Sequence, residues 1–190
     1  MMLSPWLRRL FRGDDARTDA IDTLYRRVNE ASRAPGLYEA LGVPDTVEGR
    51  FEALCLHAIL VLRSLGRLPA PAADVAQDLV NAVFLHLDAS LRESGIGDMG
   101  VPKRMKKLGA AFYGRAGHYD AALDAGDEAA LATALARNVL GGDAAADAAP
   151  LARYVAASDA ELARLDLQAL IATGPRFAVP DAFAAGSPAP

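Results

Sequence analysis

The sequence predicts an all-α protein, a single-domain helical bundle of about six to eight helices, and three observations carry that expectation. The chain is rich in Ala and Leu, which form helices well, and has few β-branched runs. Apolar residues recur at three- and four-residue spacing along most of its length. Proline, glycine and short polar residues punctuate those stretches where helices would begin and end. With 190 residues the chain can bury a substantial core as one domain. The one cysteine, Cys55, excludes a disulfide framework and fits a reducing compartment. No apolar run reaches the roughly 18 residues that a membrane-spanning helix needs. The start, MMLSPWLRRLF, has neither the apolar core nor the cleavage site of a secretory signal, so a cytoplasmic protein is expected.

Residues 1–14 read as a basic amphipathic segment. Ser4 can cap and Pro5 can open a short helix there. Leu3, Trp6, Leu7, Leu10 and Phe11 share one face, with Arg8, Arg9 and Arg12 towards the other. Residues 3–12 could make a weak peripheral contact at the inner membrane, or dock on the protein's own domain. Residues 15–173 form the expected helical domain. Residues 174–190, rich in Pro, Gly, Ala and Ser, read as a flexible tail.

Within the domain, Ile21, Leu24, Tyr25 and Val28 have amphipathic-helix spacing that ends at Ala34-Pro35-Gly36. Leu37, Tyr38 and Leu41 make a short apolar turn. Asp45 and Glu48 have the spacing of a capping box. They would open the most apolar helix, with Val47, Phe51, Leu54, Ala58, Leu62 and Leu65 on one face, broadened by Cys55, Ile59 and Val61. A helix apolar around so much of its circumference belongs at the centre of the bundle. His57 beside that face is expected to be a hydrogen-bonded residue at the core edge. Cys55 and His57 point to different sides of the helix, and His86 and His118 stand alone, so neither a metal nor another cofactor is expected.

After Pro69 and Pro71, Val75, Leu79, Val83 and Leu87 face inward on the next helix. Asp74, Asp78, Asn81, Asp88 and Arg92 form its polar stripe, and Asp88 and Arg92 are ordered as an i,i+4 pair. Carboxylates on a solvated stripe lack the water-poor pocket that acid–base catalysis requires, so no enzyme is expected. Pro102 opens a helix whose apolar side holds Met105, Leu108 and Phe112 and can extend to Tyr113, and Tyr119 and Leu123 continue its pattern to Gly126. Asp127 can cap a helix through Leu131, Leu135, Val139 and Leu140. DAAADAAP reads as a linker, and Ser158 with Glu161 as a second capping box that opens a helix through Ile171.

Charge singles out one stretch. Between Arg92 and His118 lie Arg92, Lys103, Arg104, Lys106, Lys107 and Arg115 against Glu93 and Asp98, so 6 − 2 gives +4. The whole chain carries −4. A weakly acidic protein that gathers its cations in one place either presents them to a partner or pairs them internally. Gly95, Gly97 and Gly100 spell GxGxxG, but a dinucleotide site needs a strand before that motif. Here the preceding residues are helical in pattern, and Asp98 would repel phosphate, so a helix–helix turn is the better reading. Neighbouring aromatics suit nucleic-acid contact, yet no zinc finger, RNP motif or full recognition helix is present, which argues against DNA.

The segments FEALCLHAILVLRSL, QDLVNAVFLHLDASLRESGIGDMGVPKRMKKLGAAFYGR and LARNV together resemble the ubiquinol–cytochrome c chaperone family, over roughly half the chain from Phe51 to Val139. The most specific part is LRE-x-G-x-GD-x-x-VPK followed by FYGR. The resemblance implies an all-helical, non-enzymatic assembly chaperone for newly made cytochrome b. Mitochondrial members of the family also contact the ribosome and act with a small partner protein. Matching positions include His57, Gln77, Phe84, Asp88, Leu91, Arg92, Glu93, Gly95, Gly97, Asp98, Pro102, Lys103, Phe112, Tyr113, Gly114 and Arg115. Asn81 and His86 depart from the acidic residues expected there. Charge and resemblance together assign a partner-binding surface to Asp88, Arg92, Glu93, Gly95, Gly97, Asp98, Lys103, Arg104, Lys106, Lys107, Phe112, Tyr113 and Arg115. Its expected occupant is cytochrome b or another assembly protein, and the alternative is a ribosome- or RNA-associated binding module.

Overall fold

The computed structural model describes residues 14–93, 101–142 and 147–184, with the backbone alone at 14, 91–93 and 101–104. Among these residues the fold is all-α, as composition and periodicity require, with no strand. The helices are α1 (Asp14–Ala31), α2 (Pro35–Glu39), α3 (Val47–Gly66), α4 (Ala72–Glu93), α5 (Val101–Ala125), α6 (Glu128–Asn138), α7 (Ala149–Leu162) and α8 (Leu167–Ala172). A short 3-10 turn, Pro180–Phe183, follows.

Helix α3 is the axis of the bundle. Every residue from Ala53 to Val61 is buried, on all sides of the helix, which requires neighbours all round. Those neighbours are α1, α4, α5 and α7. Its N-terminus differs from the expected capping box. Thr46 is the cap, extended at φ −119° and ψ 169°, and its hydroxyl accepts the Gly49 N–H at 3.0 Å. Asp45 instead pairs with Arg50 at 2.6 Å, and Val47 is exposed. Gly49 is needed for packing here, because a Cβ would lie 2.0 Å from the Pro44 carbonyl. Replacing Thr46 by Ala should cost about 1 kcal/mol in urea denaturation, with Asp45→Ala costing less.

Two further expectations are corrected downstream. Ser158 does not cap a helix: it lies fully buried within α7, which starts at Ala149 with Pro150 in its first turn. The cap of the following helix is Asp166, accepting from Ala169 N–H at 2.7 Å. The freed Ser158 hydroxyl accepts the Ala178 N–H at 3.1 Å, which helps fix the C-terminal segment. Residues 174–184 are accordingly not a mobile tail. Pro180 and Phe183 are buried, and the Phe177 ring meets the His57 ring edge-on at 4.7 Å. Residues 1–13 and 185–190, which hold the amphipathic segment and the end of the expected tail, lie outside the described residues.

His57 is itself moved from the core edge to the core. It is fully buried, with Nδ1 2.7 Å from the Ala53 carbonyl and Nε2 2.7 Å from the Tyr154 hydroxyl. A carbonyl can only accept, so Nδ1 carries the proton and Nε2 accepts the Tyr154 O–H. Burial pushes the imidazole pKa down to about 4, so the ring is neutral at pH 7.

Candidate partner-binding surface

The described part of the surface centres on α5. Lys106 and Lys107 are exposed and form no ion pair among the described residues. Seven residues on from Lys106, and therefore on the same helical face, Tyr113 is 59% exposed, a large aromatic side chain facing water. Beside Tyr113 runs a groove of about 390 Å³ between α3 and α5. Ile59, Leu62, Phe112 and Ala116 give it apolar walls.

One end of the groove is strongly polar. Arg63 of α3, only 8% exposed, contacts Asp120 at 3.1 Å, Asp159 at 3.2 Å and Asp124. Arg67 joins Asp159 at 2.8 Å. The network ties α3, α5 and α7 together. Arg63 holds the Asp124 carboxyl below the usual carboxylate range, chiefly through their hydrogen bond. An arginine fully committed to three carboxylates supplies rigidity rather than a free charge for a partner.

A second ionic link crosses the same two helices. Arg115 pairs with Glu52 at 2.5 Å, with side chains 17% and 13% exposed. Burial raises the Glu52 pKa despite the opposing effect of Arg115. The neighbouring Cys55 thiol is pushed far up by burial, so it is no nucleophile. Burial also pushes Tyr119 up to about 12. Four atoms around this point, Glu52 Oε2, Arg115 Nε, Tyr119 OH and Asn138 Nδ2, are buried with unused hydrogen-bonding capacity. On α3 the groove residues Ile59 and Leu62 lie between the two ionic links, so the groove has fixed walls.

The expected surface is therefore divided. Lys106, Lys107 and Tyr113 face outward together. Phe112 is buried against Phe84, ring centroids 5.7 Å apart, and belongs to the core. Arg115 turns inward for a reason visible in the helix register: Phe112, Arg115, Tyr119 and Ala122 follow one another at spacings of three and four, and the other three are buried. Phe112 and Arg115 thus turn towards the interior, Arg115 into its pair with Glu52 and Phe112 as part of the groove wall. Asp88 is half-buried on α4 and already engaged. Arg92, Glu93, Lys103 and Arg104 are placed by backbone alone, at the end of α4 and the start of α5. Gly95, Gly97 and Asp98 lie outside the described residues. Glu52 and Arg63 were absent from the sequence-based assignment, although ionisable residues inside so apolar a helix were a signal that they pair in the interior.

The profile of the ubiquinol-cytochrome C chaperone family matches residues 39–177, more than half of the chain. The chain belongs to this family. The crystal structure of the Cbp3 homolog from Brucella abortus is 38% identical, with a TM-score of 0.80, covering 92% of this chain and 98% of that one. A comparison with curated proteins found no match. For a ubiquinol-cytochrome C chaperone the geometry is coherent. Rigid apolar walls, and exposed lysines that form no ion pair among the described residues, suit holding another chain, and among those residues no group of three or more His, Cys, Asp or Glu could bind a metal. No described helix is long and apolar enough to cross a membrane.

Proposed function

We propose that this chaperone holds newly made cytochrome b, or a second assembly protein, during biogenesis of the ubiquinol–cytochrome c reductase complex, and that the α3–α5 groove with Tyr113 and Lys106 is the contact. The observation that carries the reading is one face of α5 on which an exposed aromatic, an apolar groove and an unpaired cation follow in line. An apolar helix with a flanking acidic residue fits that order, the helix in the groove and the carboxylate near Lys106. Interface energy concentrates in aromatic anchors that a partner covers, with rim charges setting register. No catalytic step is required. Holding the client off other apolar surfaces is the activity.

The test is made in cells lacking the chromosomal copy and supplied with variants of the full chain. Tyr113→Ala should weaken client capture by about tenfold, the scale of a modest hot spot. Lys106→Glu with Lys107→Glu should lower it further and reduce cytochrome b spectroscopically, with helix content unchanged. Normal cytochrome b levels in both variants would remove this face from consideration.

Lys106 and Lys107 also support a second reading, contact with ribosomal RNA, because exposed lysines with no ion pair among the described residues suit phosphate. Ribosome co-sedimentation should then fall steeply with salt, by roughly one unit of log–log slope for each lysine engaged. A salt-independent association, or none at low ionic strength, would count against it.

A further inference from the structure

The inward pair between α3 and α5 leaves polar capacity over, whatever occupies the groove beside it. Arg115 gives its Nη2 proton to Glu52 Oε1, and each residue keeps a second buried atom without a partner, Nε of Arg115 and Oε2 of Glu52. Tyr119 stands one turn further along α5 on the same face, and Asn138 ends α6, which packs on α5. The Tyr119 hydroxyl and Asn138 Nδ2 are buried and unpartnered in the same way.

The four residues act on one another. Burial dominates the raised pKa of Tyr119, and Asn138, Glu52 and Arg115 each adjust it. Asn138 and Tyr119 are therefore close neighbours that stop short of a direct hydrogen bond. Buried polar atoms are almost always paired in folded proteins, so four left over around one ion pair call for a shared partner.

The chemistry of that partner follows from the atoms. Arg115 Nε and Asn138 Nδ2 can only donate, Glu52 Oε2 accepts, and the Tyr119 hydroxyl can do either. The partner must then both accept and donate. The Glu52 carboxylate disfavours an anion there, and the Arg115 guanidinium disfavours a cation. Water meets the requirement. Its oxygen can accept from Arg115 Nε and Asn138 Nδ2, and its protons can go to Glu52 Oε2 and the Tyr119 oxygen.

We propose that Glu52, Arg115, Tyr119 and Asn138 form a binding site for one internal water molecule, which joins α3, α5 and α6. All four atoms are closed to solvent, so this water exchanges only when the helices part.

A crystal structure of the full chain, at a resolution that shows ordered solvent and grown with bromide in place of chloride, reads the site directly. The expected result is one density peak within hydrogen-bond distance of at least three of the four atoms, without bromide anomalous signal. In solution, oxygen-17 magnetic relaxation dispersion counts long-lived internal waters. The double variant Tyr119→Phe, Asn138→Leu removes two of the four partners and should hold one such water fewer than the wild type, with circular dichroism checking its helix content. The wild-type crystal needs no variant, so it decides the matter even where the double variant does not fold. Three results would overturn the proposal. They are a dry site in which the four atoms bond directly to one another, a bromide peak in place of water, and a folded double variant with an unchanged count of long-lived waters.

Discussion

Replacing Arg115 by Met lowers stability by about 2–4 kcal/mol, below the full penalty for breaking a buried pair because both side chains keep some exposure. The loss comes less from the missing attraction than from Glu52, left with a desolvated carboxylate. Burial already raises the Glu52 pKa in the intact protein, and without Arg115 nothing nearby opposes that rise. A raised carboxylate pKa means that its contribution to stability is present below the unfolded value and lost as pH rises through the folded one. The Arg115→Met defect should accordingly grow as pH rises above the ordinary carboxylate range. Adding Glu52→Gln to Arg115→Met should recover much of it, since a neutral amide has no charge to bury. Urea midpoints for the four proteins of this cycle decide the matter. A defect that is flat with pH and unchanged by Glu52→Gln would mean that Arg115 acts only through packing of its alkyl stem.

The wild-type protein should also lose roughly 3 kcal/mol between pH 6.5 and pH 4 through His57 alone, at about 1.4 kcal/mol per pKa unit. Its folded pKa near 4 lies below the unfolded value of 6.5, so the unfolded chain binds the proton first as pH falls. The contribution is complete above pH 6.5 and disappears as pH drops through the folded pKa. Carboxylates titrate over the same window, so the measurement is a difference. His57→Gln, which can keep one of the two hydrogen bonds, should be less stable at pH 7 and should show a shallower fall in urea midpoint towards pH 4. Parallel curves would show that the histidine does not titrate with unfolding. The consequence reaches the C-terminal segment, because His57 contacts both Tyr154 and Phe177.

Much of the architecture could be read directly. The central place of α3 followed from an apolar surface too wide for one neighbour, and nine consecutive buried residues from Ala53 to Val61 bear that out. Asp127 was legible as the α6 cap because an Asx residue before a periodic run has little else to do, and its side chain does accept the Ala130 N–H. Capping elsewhere was less legible. Asp45 and Thr46 both had cap chemistry, and backbone geometry chose between them. Ser158 had the right spacing to Glu161 but already sat inside a helix that began nine residues earlier. The tail was misjudged because its composition suggests disorder, whereas Phe177 and Phe183 carry enough apolar area to hold the segment down.

The candidate surface separates in the same way. The gathering of positive charge on α5 was legible, because six cations between Arg92 and His118 stand against only Glu93 and Asp98 there. The inward turn of Arg115 was legible in principle from the row Phe112, Arg115, Tyr119, Ala122, yet net charge counts it as one more surface cation.

By itself the sequence determined the helical class, the order of the helices, the central one among them and the family, because helix propensity, apolar period and motif spacing are local quantities. Only the tertiary structure decided which charges are spent inside the fold. Whether Arg115 or Lys106 is available depends on a carboxylate more than fifty residues away in the chain, and Glu52 on α3 pairs with the first and not with the second. Pairing over such distances follows from how helices pack, which no local pattern records.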